Sequence, residues 1–527
     1  MTEIPPAITG VPAAIEGRNN QTEVFAVHGA DPEVLAYAMA KYSRSSLSMK
    51  ESLKEISSQR AEQFLNTFYF QYGHRSIADL AHVAFAVERL SLLAAIVLVD
   101  EQRWDGQERS TRYQNFRKSG WYMPDFGSDA ASANLYRETV EHLFTGYHAV
   151  FEAVFSSLQG QIPKPEEMKH DTYERTLKAR AFDVARYLLP LATNTSLGQI
   201  VNARTLETQV SRLLTSPVAE IRQLGVRLQA AATGPAWNVH AEELAALQKE
   251  IAALDPALGE RAAALLTREV KTAPTLVKYA AANDYQAQTR QELRLAAGEL
   301  LRGEAIEPAP LVDLIDDADS LEIDLATTLL YGQSHYSYRQ IRRHVTALNE
   351  AQRNEIIHLG LRHRGRHDEL LREFSAGQSL RFDILMDIGG FRDMHRHRRC
   401  VQILQGFTSA HGYAIPEGVP EAGVQPLYEE TVQAAHGAYA KLAAGSAPEA
   451  TESAQYVLPL ATKNRALFKM DFAEALYISE LRSAPQGHFS YRRVAWEMYR
   501  AVERKHPALA PYFRVTDADA PVDPLKR

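Results

Sequence analysis

The stretch Tyr187-Leu188-Leu189-Pro190-Leu191-Ala192-Thr193 recurs as Tyr456-Val457-Leu458-Pro459-Leu460-Ala461-Thr462. Six of the seven residues are identical, and the two copies lie 269 residues apart. Similarity at a fixed spacing is the mark of a repeated structural unit. The repeat therefore predicts that the 527 residues form two related halves rather than three or four unrelated domains.

Two weaker matches follow the same order in both halves. Ile96 to Asp100 resembles Ile384 to Asp387, since each is a short apolar run that ends in Asp. Gly120-Trp-Tyr-Met-Pro124 resembles Gly412-Tyr-Ala-Ile-Pro416. Three collinear matches favour tandem duplication over chance. They predict halves at 1–303 and 321–527, joined by a solvated, Pro-containing acidic connector at 304–320.

The hydrophobic pattern predicts a helix-rich α+β fold built from these two copies. Most of the chain has helical periodicity, while strand candidates are few. The predicted helices include 31–42, 60–72, 78–90, 134–158, 426–444 and much of 241–303. The predicted strands are 94–100 and 381–387.

Composition excludes several classes of protein. Apolar residues make up 45% of the chain, enough for a substantial core, and the net charge of −7 argues against a protein that coats nucleic acid. The single cysteine, Cys400, excludes an internal disulfide and is interpreted as a packing residue. The most apolar run, Leu90 to Val99, is too short to cross a bilayer. We expect a cytoplasmic protein without nucleic-acid or membrane partners.

The standard cofactor and nucleophile motifs do not occur. The sequence has no Gly-x-Gly-x-x-Gly after a strand, no phosphate-binding Walker loop and no Gly-x-Ser-x-Gly elbow. His358, His363 and His367 cluster on a predicted helix. They are either a metal site or a solvated basic face, and the missing acidic ligands favour the second, so no metal is predicted.

Three short stretches carry residues suited to chemistry: Tyr72-Gly-His74-Arg-Ser76, Glu108-Arg-Ser110-Thr-Arg112-Tyr113 and Asp393-Met-His-Arg396-His397-Arg398-Arg399. The last places five cationic or titratable side chains in consecutive positions. Like charges this close repel one another unless they share an anion, and Arg forks bind phosphate well. A solvated turn without a ligand is the alternative.

These stretches resemble the flavin-dependent thymidylate synthases. That family's signature is Arg-His-Arg, five residues, then Glu-x-Ser-x-Arg-Tyr, with an upstream Gly-His-x-Ser and a downstream Ala-Arg-x-x-Leu-Pro. The two copies depart from the signature in complementary ways. The first half has Glu108 to Tyr113 and Ala185-Arg186, but Asp100-Glu101-Gln102 replaces Arg-His-Arg. The second half has Arg396-His397-Arg398, but Gly406 and Thr408 replace the Ser and Arg.

The resemblance implies one composite active site. In the family the site lies between subunits of a homotetramer, so the two halves here would act as two subunits and two chains would form a homodimer. The second site, containing Asp100 to Gln102, would be inactive. Substrate would contact Ser110, Arg112, Arg186, Arg396 and Arg482, with Arg396 and Arg482 also catalytic. The flavin would contact His74, Ser76, Asn202, Arg204, His397 and Arg398.

The implied reaction is FAD-dependent methylation of dUMP to dTMP, with NADPH and methylenetetrahydrofolate as co-substrates. The cofactor carries the difficult chemistry, and the protein supplies orientation and charge. Two alternatives stay open. One is a related flavoenzyme that acts on another pyrimidine nucleotide, and the other is a non-catalytic protein that binds nucleotide or flavin.

Overall fold

The structure is a computed structural model, and it describes most of the chain. The described residues are 27, 29–41, 49–55, 75–112, 115–116, 120–284, 286–288, 291, 308, 310–315, 321–331, 337–362, 364, 370, 372–377, 379–447, 449–523 and 525.

Helices make up most of the described residues. The α-helices are α1 Pro32–Lys41, α2 Met49–Glu55, α3 Leu92–Leu98, α4 Ala130–Gln161, α5 His170–Ala185, α6 Ala203–Leu214, α7 Ala219–Thr233, α8 Ala241–Leu254, α9 Pro256–Leu266, α10 Leu321–Tyr331, α11 Tyr338–Ala347, α12 Glu350–Leu361, α13 Ile388–Met394, α14 Gln425–Ala443, α15 Ala450–Ala454, α16 Phe472–Ser483 and α17 Phe489–Lys505. Short 3₁₀ turns lie at Arg75–Leu80, Arg186–Leu188, Arg372–Ser375, Gln455–Val457 and Ala510–Tyr512. Within the described part of the chain, no helix has the length and hydropathy needed to cross a membrane.

Among the described residues, each half contains one small antiparallel sheet. The strands are β1 His82–Ser91, β2 Asp105–Glu108, β3 Asn194–Asn202, β4 Val312–Ile315, β5 Ser379–Asp387, β6 Val401–Leu404 and β7 Lys463–Asp471. The first sheet has the order β1-β3-β2 and the second has β4-β5-β7-β6. The predicted α+β fold with two copies is therefore confirmed, and the central pairs β1-β3 and β5-β7 are equivalent.

The two copies of the repeated stretch pair with each other. The amide of Leu191 donates to the carbonyl of Leu458, and the amide of Leu460 donates to the carbonyl of Leu189, both at 3.0 Å. The two proline residues form an antiparallel bridge at the centre of this contact. Such reciprocal bonds are those of a two-fold interface. The repeat thus forms the junction that holds the two halves together.

Long helices from the two halves extend this junction. Helices α4 and α14 pack against each other across the interface. They approach closely at Gly146, where a Cβ atom would lie 2.9 Å from the Thr431 side chain. One hydrophobic core runs through both halves. A continuous core makes the pair one folding body rather than two tethered domains.

Each half also has an acid beside the junction, half-buried Glu220 in the first and buried Asp387 in the second, with donor and acceptor exchanged. In the first half, Ser91 caps α3 and its hydroxyl donates to Glu220 of α7 at 2.6 Å. In the second half, Asp387 caps α13 and accepts from Ser490 of α17. Burial raises the carboxyl pKa of Glu220 and of Asp387. The sequences diverged here while the contact was kept.

Two predicted elements were wrong. The predicted helix 78–90 is largely strand β1, where Val83 and Val87 are buried at even spacing and most residues between them are exposed. The predicted strand 94–100 is largely helix α3, which is buried on nearly every side and therefore shows no helical periodicity. The segment 304–320, interpreted as a connector, contains strand β4. The predicted helix 60–72 lies outside the described residues.

Candidate active site

A cavity of about 310 Å³ lies between the halves and contains all five predicted substrate residues. Its lining is Gln107, Glu108, Arg109, Ser110, Thr111, Arg112, Arg186, Arg392, Asp393, Arg396, Arg482 and Tyr491. The end of β2, the segment that follows it and the 3₁₀ turn after α5 contribute from the first half. Helices α13, α16 and α17, with the loop after α13, contribute from the second half. Neither half could build this lining alone.

Arg112 is buried and held in one orientation. Its guanidinium donates to both carboxylate oxygens of Asp183, at 2.8 and 3.2 Å. It also donates to the Tyr491 hydroxyl at 3.0 Å and to the Gln486 carbonyl at 3.3 Å. Asp183 on α5 was not singled out from the sequence, since its helix position gives no chemical signal. The side chain of Arg112 is thereby fixed at the cavity wall.

Arg186 is 2% exposed and spans both halves. It donates to the Thr111 hydroxyl at 3.2 Å and to the Gly389 carbonyl at 3.4 Å. The carboxylate of Asp393 lies 3.6 Å away. The Nε of Arg186 is buried and has no hydrogen-bond partner among the described residues. A buried cation with an unused donor is costly unless a ligand completes it.

Sequence reasoning also missed an ion pair across the interface. Arg392 of α13 donates to the carboxylate of Glu108 and lies 3.4 Å from the Thr111 hydroxyl. Glu108 was read only as part of a motif, and Arg392 precedes the motif in the second half. This pair ties β2 of the first half to α13 of the second.

Among the arginines that line the cavity, Arg396 and Arg482 have charges that no nearby carboxylate in the described part of the chain neutralises. Arg396 is exposed, and its guanidinium has no hydrogen bond or ion pair to another described residue. Arg482 lies over the Tyr491 ring, with its guanidinium carbon 5.3 Å from the ring centre. Its Nε donates to Nε2 of His397 at 2.8 Å. No carboxylate pairs with either one among the described residues, so both can bind an anion.

His397 acts on Arg482 through a specific tautomer. Arginine has no acceptor, so Nε2 of His397 must be unprotonated and Nδ1 must carry the proton. Nδ1 lies 3.5 Å from a carboxylate oxygen of Glu474. Burial lowers the pKa of His397, which keeps the ring neutral. Glu474, His397 and Arg482 thus form a chain that positions the arginine.

The predicted flavin residues whose side chains the structure describes, Asn202, Arg204, His397 and Arg398, do not line this cavity. Asn202 caps α6 by accepting from the Thr205 amide at 2.8 Å, and Arg204 pairs with Asp79 at 2.9 Å. Neither residue lines the cavity. His74 lies outside the described residues, and the side chain of Ser76 is not described.

Arg398 lies beside a second, smaller cavity between the halves. Its guanidinium carbon is 4.2 Å from the ring centre of Trp104, and its Nε and Nη2 are buried without partners among the described residues. The cavity has a volume of about 160 Å³, and Asp100, Glu101 and Gln102 form its opposite wall. Burial, followed by the charge of Arg396, lowers the pKa of Arg398. Two unused buried donors suit an anionic or carbonyl oxygen.

The remaining sequence candidates are Cys400 and the histidines His358, His363 and His367. Burial raises the pKa of the Cys400 thiol to about 12, and its Sγ donates to the His397 carbonyl at 3.0 Å. Cys400 therefore supplies no thiolate at neutral pH. His358 packs near Tyr512, while His363 and His367 lie outside the described residues. Among the residues that the structure describes, no group of three His, Cys, Asp or Glu side chains could hold a metal.

Fold and cavity together define a duplicated α+β protein whose cationic cavity is built from both copies. Residues 26–232 and 310–508 each match the Thy1 family, described as thymidylate synthase complementing protein. These matches cover well over half of the chain, so the protein belongs to this family. The resemblance drawn from its motifs is confirmed.

Two UPF0159 proteins match this chain over more than nine tenths of both lengths. The chain is 28% identical to the UPF0159 protein of Chlamydia muridarum over 535 residues, covering 95% of this chain and 93% of that one. It is 24% identical to UPF0159 protein Ta1429 of Thermoplasma acidophilum, covering 91% and 94%. It is 27% identical to the flavin-dependent thymidylate synthase of Clostridium tetani over 177 residues, covering 33% of this chain and 67% of that protein.

Proposed function

We propose that the protein methylates dUMP to dTMP with FAD, NADPH and methylenetetrahydrofolate, at the single composite cavity. One observation carries the proposal. Ser110, Arg112 and Arg186 of the first half line the same cavity as Arg396 and Arg482 of the second. At these positions each half keeps signature residues that the other half has lost, so the two halves together supply a full set.

The charges of the cavity suit a nucleotide phosphate. Arg112, Arg186 and Arg392 each face a carboxylate, so they are held in place without a ligand. Arg396 and Arg482 retain donors for an incoming dianion. Fixed arginine donors bind phosphate oxygens in pairs and with defined geometry.

Arg482 is the proposed catalytic cation. As C5 of the uracil becomes nucleophilic, negative charge builds on a carbonyl oxygen of the ring, and a fixed cation there lowers the barrier. His397 and Glu474 fix Arg482 through the hydrogen-bonded chain described above. We therefore assign His397 to positioning Arg482 through Nε2, in addition to its earlier interpretation as a flavin contact.

Arg398 is the residue that best fits the flavin. Its two unpaired buried donors match the carbonyl or phosphate oxygens of FAD. His74, Ser76, Asn202 and Arg204 stay proposals from family resemblance. The flavin, when bound, would supply the hydride and one-carbon transfer chemistry that side chains lack. The balanced reaction consumes NADPH, one net proton and methylenetetrahydrofolate, replaces the C5 hydrogen of dUMP with methyl, and releases NADP⁺ and tetrahydrofolate.

The test is release of tritium from C5-labelled dUMP by the purified chain with FAD, NADPH and methylenetetrahydrofolate. Release that requires all three reagents, with formation of dTMP, supports the proposal. Protein that binds FAD and dUMP without releasing tritium would refute the synthase assignment. Protein that binds neither would support the non-catalytic alternative.

One feature favours a second candidate, the same chemistry on a cytosine nucleotide. The Asp393 carboxylate lines the cavity and lies 3.6 Å from Arg186, a distance that leaves its oxygens able to accept from a ligand. The amino group of cytosine would be such a donor. Replacing dUMP by dCMP in the same assay separates the candidates, since only the true substrate should lose the C5 tritium.

A further inference from the structure

Helices α8 and α9 form a hairpin that lies outside both family matches, in the interval 233–309. The two helices pack on each other, but Gly259 is their only buried residue. Short helices in water depend on burying an apolar face. A hairpin this exposed therefore presents a face that a partner can cover.

The apolar residues of the hairpin follow coiled-coil spacing. Leu244, Leu247, Ile251 and Leu254 recur at intervals of three and four on α8, and Leu258, Ala262 and Leu265 do so on α9. This is the a/d pattern, with Leu244, Ile251 and Ala262 at a. The a residues are half-buried within the hairpin. The d residues are exposed: Leu247 46%, Leu254 88%, Leu258 48% and Leu265 79%.

Helices α8 and α9 contact each other along the e-position side of the a/d stripe. Gln248 and Gly259, both at e positions, are linked by a hydrogen bond from the Gln248 side chain to the Gly259 carbonyl at 3.4 Å. A Cβ at Gly259 would lie 2.4 Å from the Cβ of Ala252, so the helices touch closely there. The opposite side, with the g positions, stays open.

The open side carries complementary charges. Glu250 is at a g position of α8, and Arg261 is at a g position of α9. Neither makes an ion pair with another described residue. In antiparallel helix pairs, g residues face g residues, and their charges select the partner. An acidic flank on α8 and a basic flank on α9 therefore favour α8 against α9 of a second hairpin and disfavour α8 against α8.

We propose that the hairpin is a dimerisation element that pairs with the same hairpin of a second copy to form an antiparallel four-helix bundle. A two-fold axis along the bundle sets α8 beside α9 of the partner subunit. Leu254 then meets Leu258 of the partner subunit, and Leu247 meets Leu265 of the partner subunit. Glu250 lies level with Arg261 of the partner subunit. The proposal is independent of the reaction proposed above.

Sedimentation equilibrium of the full chain tests it. The wild type should be a dimer, and Leu254→Glu with Leu265→Glu should raise its Kd by at least about 100-fold, equal to about 2.7 kcal/mol. Leu359→Glu is the matched control, since Leu359 is an exposed leucine on α12, and it should leave the Kd unchanged. Unchanged circular dichroism would show that the variants fold.

A charge exchange separates specific pairing from general loss of apolar surface. Glu250→Arg alone and Arg261→Glu alone should each weaken the dimer, and the two together should restore it. A monomeric wild type, a double leucine variant with wild-type Kd, or charge variants that do not rescue each other would each overturn the proposal.

Discussion

The two halves share a backbone but not a charge pattern. Asp100 occupies the position of Arg396, Thr408 that of Arg112, and Gln455 that of Arg186. The cavity that contains Arg396 is lined by cations from both halves. The residues at the equivalent positions, Asp100, Thr408 and Gln455, are acidic or neutral. The cationic residues are therefore concentrated at one of two equivalent positions in the duplicated fold.

The first half contains an ion pair at the position that is equivalent to His397. Arg212 donates to the Glu101 carboxylate at 3.0 and 2.8 Å, and Glu101 holds the position of His397. Arg482, by contrast, contacts the neutral His397 ring. An arginine paired with a carboxylate is neutralised, whereas one held by a neutral acceptor keeps its charge for a ligand. Arg212 is therefore part of an ion pair in the first half, whereas Arg482 contacts a neutral ring in the second.

The largest expected difference in activity is between substitutions of Arg396 and of Asp100, its equivalent in the first half. Arg396→Ala should lower kcat/KM for tritium release by about 10²- to 10³-fold, because the cavity loses a cation that is proposed to bind the phosphate of the nucleotide. Asp100→Ala, at an exposed acid, should leave the rate within about twofold. Steady-state kinetics on both variants measures this. A larger loss for Asp100→Ala than for Arg396→Ala would reverse the assignment of the two sites.

The next effect concerns the buried support of Arg112. Asp183→Asn should remove the charge that fixes this guanidinium, raising the KM for dUMP about 10-fold or more. It should also destabilise the fold by about 3–5 kcal/mol, since a buried cation loses its partner. Urea unfolding and kinetics together check it. Glu174→Gln, at a carboxylate of the same helix paired with Lys178, should change both values little.

A smaller effect should separate positioning from structure at Glu474. In Glu474→Gln an amide can donate to Nδ1 of His397, which moves the ring proton to Nε2 and sets two donors against each other at Arg482. We expect about 10-fold weaker dUMP binding by calorimetry. Glu474→Asp, which keeps the carboxylate, should recover most of the affinity.

The tautomer itself can be measured without any activity. Nitrogen-15 NMR should show His397 as the neutral ring protonated at Nδ1 at neutral pH. An imidazolium, or a proton on Nε2, would contradict the positioning role even if the enzyme proves active. Loss of catalysis with the expected tautomer would instead point to an error in the proposed reaction.

The smallest effect is the pH dependence contributed by one histidine of the second half, His488. His488, fully buried and capping α17, has the position of Val218 in the first half. Burial lowers its pKa well below the ordinary value. Below about pH 6.5 the unfolded chain therefore binds a proton that the folded chain does not, and the free energy of unfolding falls as pH falls.

This slope should reach at most about 1.4 kcal/mol per pH unit between pH 6.5 and the folded pKa. His488→Asn keeps a cap and removes the titrating group, so its unfolding free energy should lose this part of the slope. Urea unfolding from pH 7.5 to 5.5 measures the difference. Identical slopes would show that His488 has the same pKa in the folded and the unfolded protein, which would contradict the predicted effect of burial.

How far the sequence could lead depended on the kind of signal. The cavity residues Ser110, Arg112, Arg186, Arg396 and Arg482 were accessible because their types and spacing match a family signature. Asp183, Arg392, Glu474 and Tyr491 were not, because each is an ordinary helical residue until the fold places it beside a cation. Strand β1 was predicted as a helix because its buried residues Val83 and Val87 lie four positions apart, a spacing that also fits a helix.

The sequence by itself determined that the chain is a duplicated member of its family with complementary sets of charged residues. Repeats and motif spacing are local in the chain, so they can be read from it directly. Only the tertiary structure decided that the two proline stretches pair with each other, that Asp183 fixes Arg112, and that His397 contacts Arg482. Such contacts join residues from tens to hundreds of positions apart, and the packing of both halves around one core sets their distances.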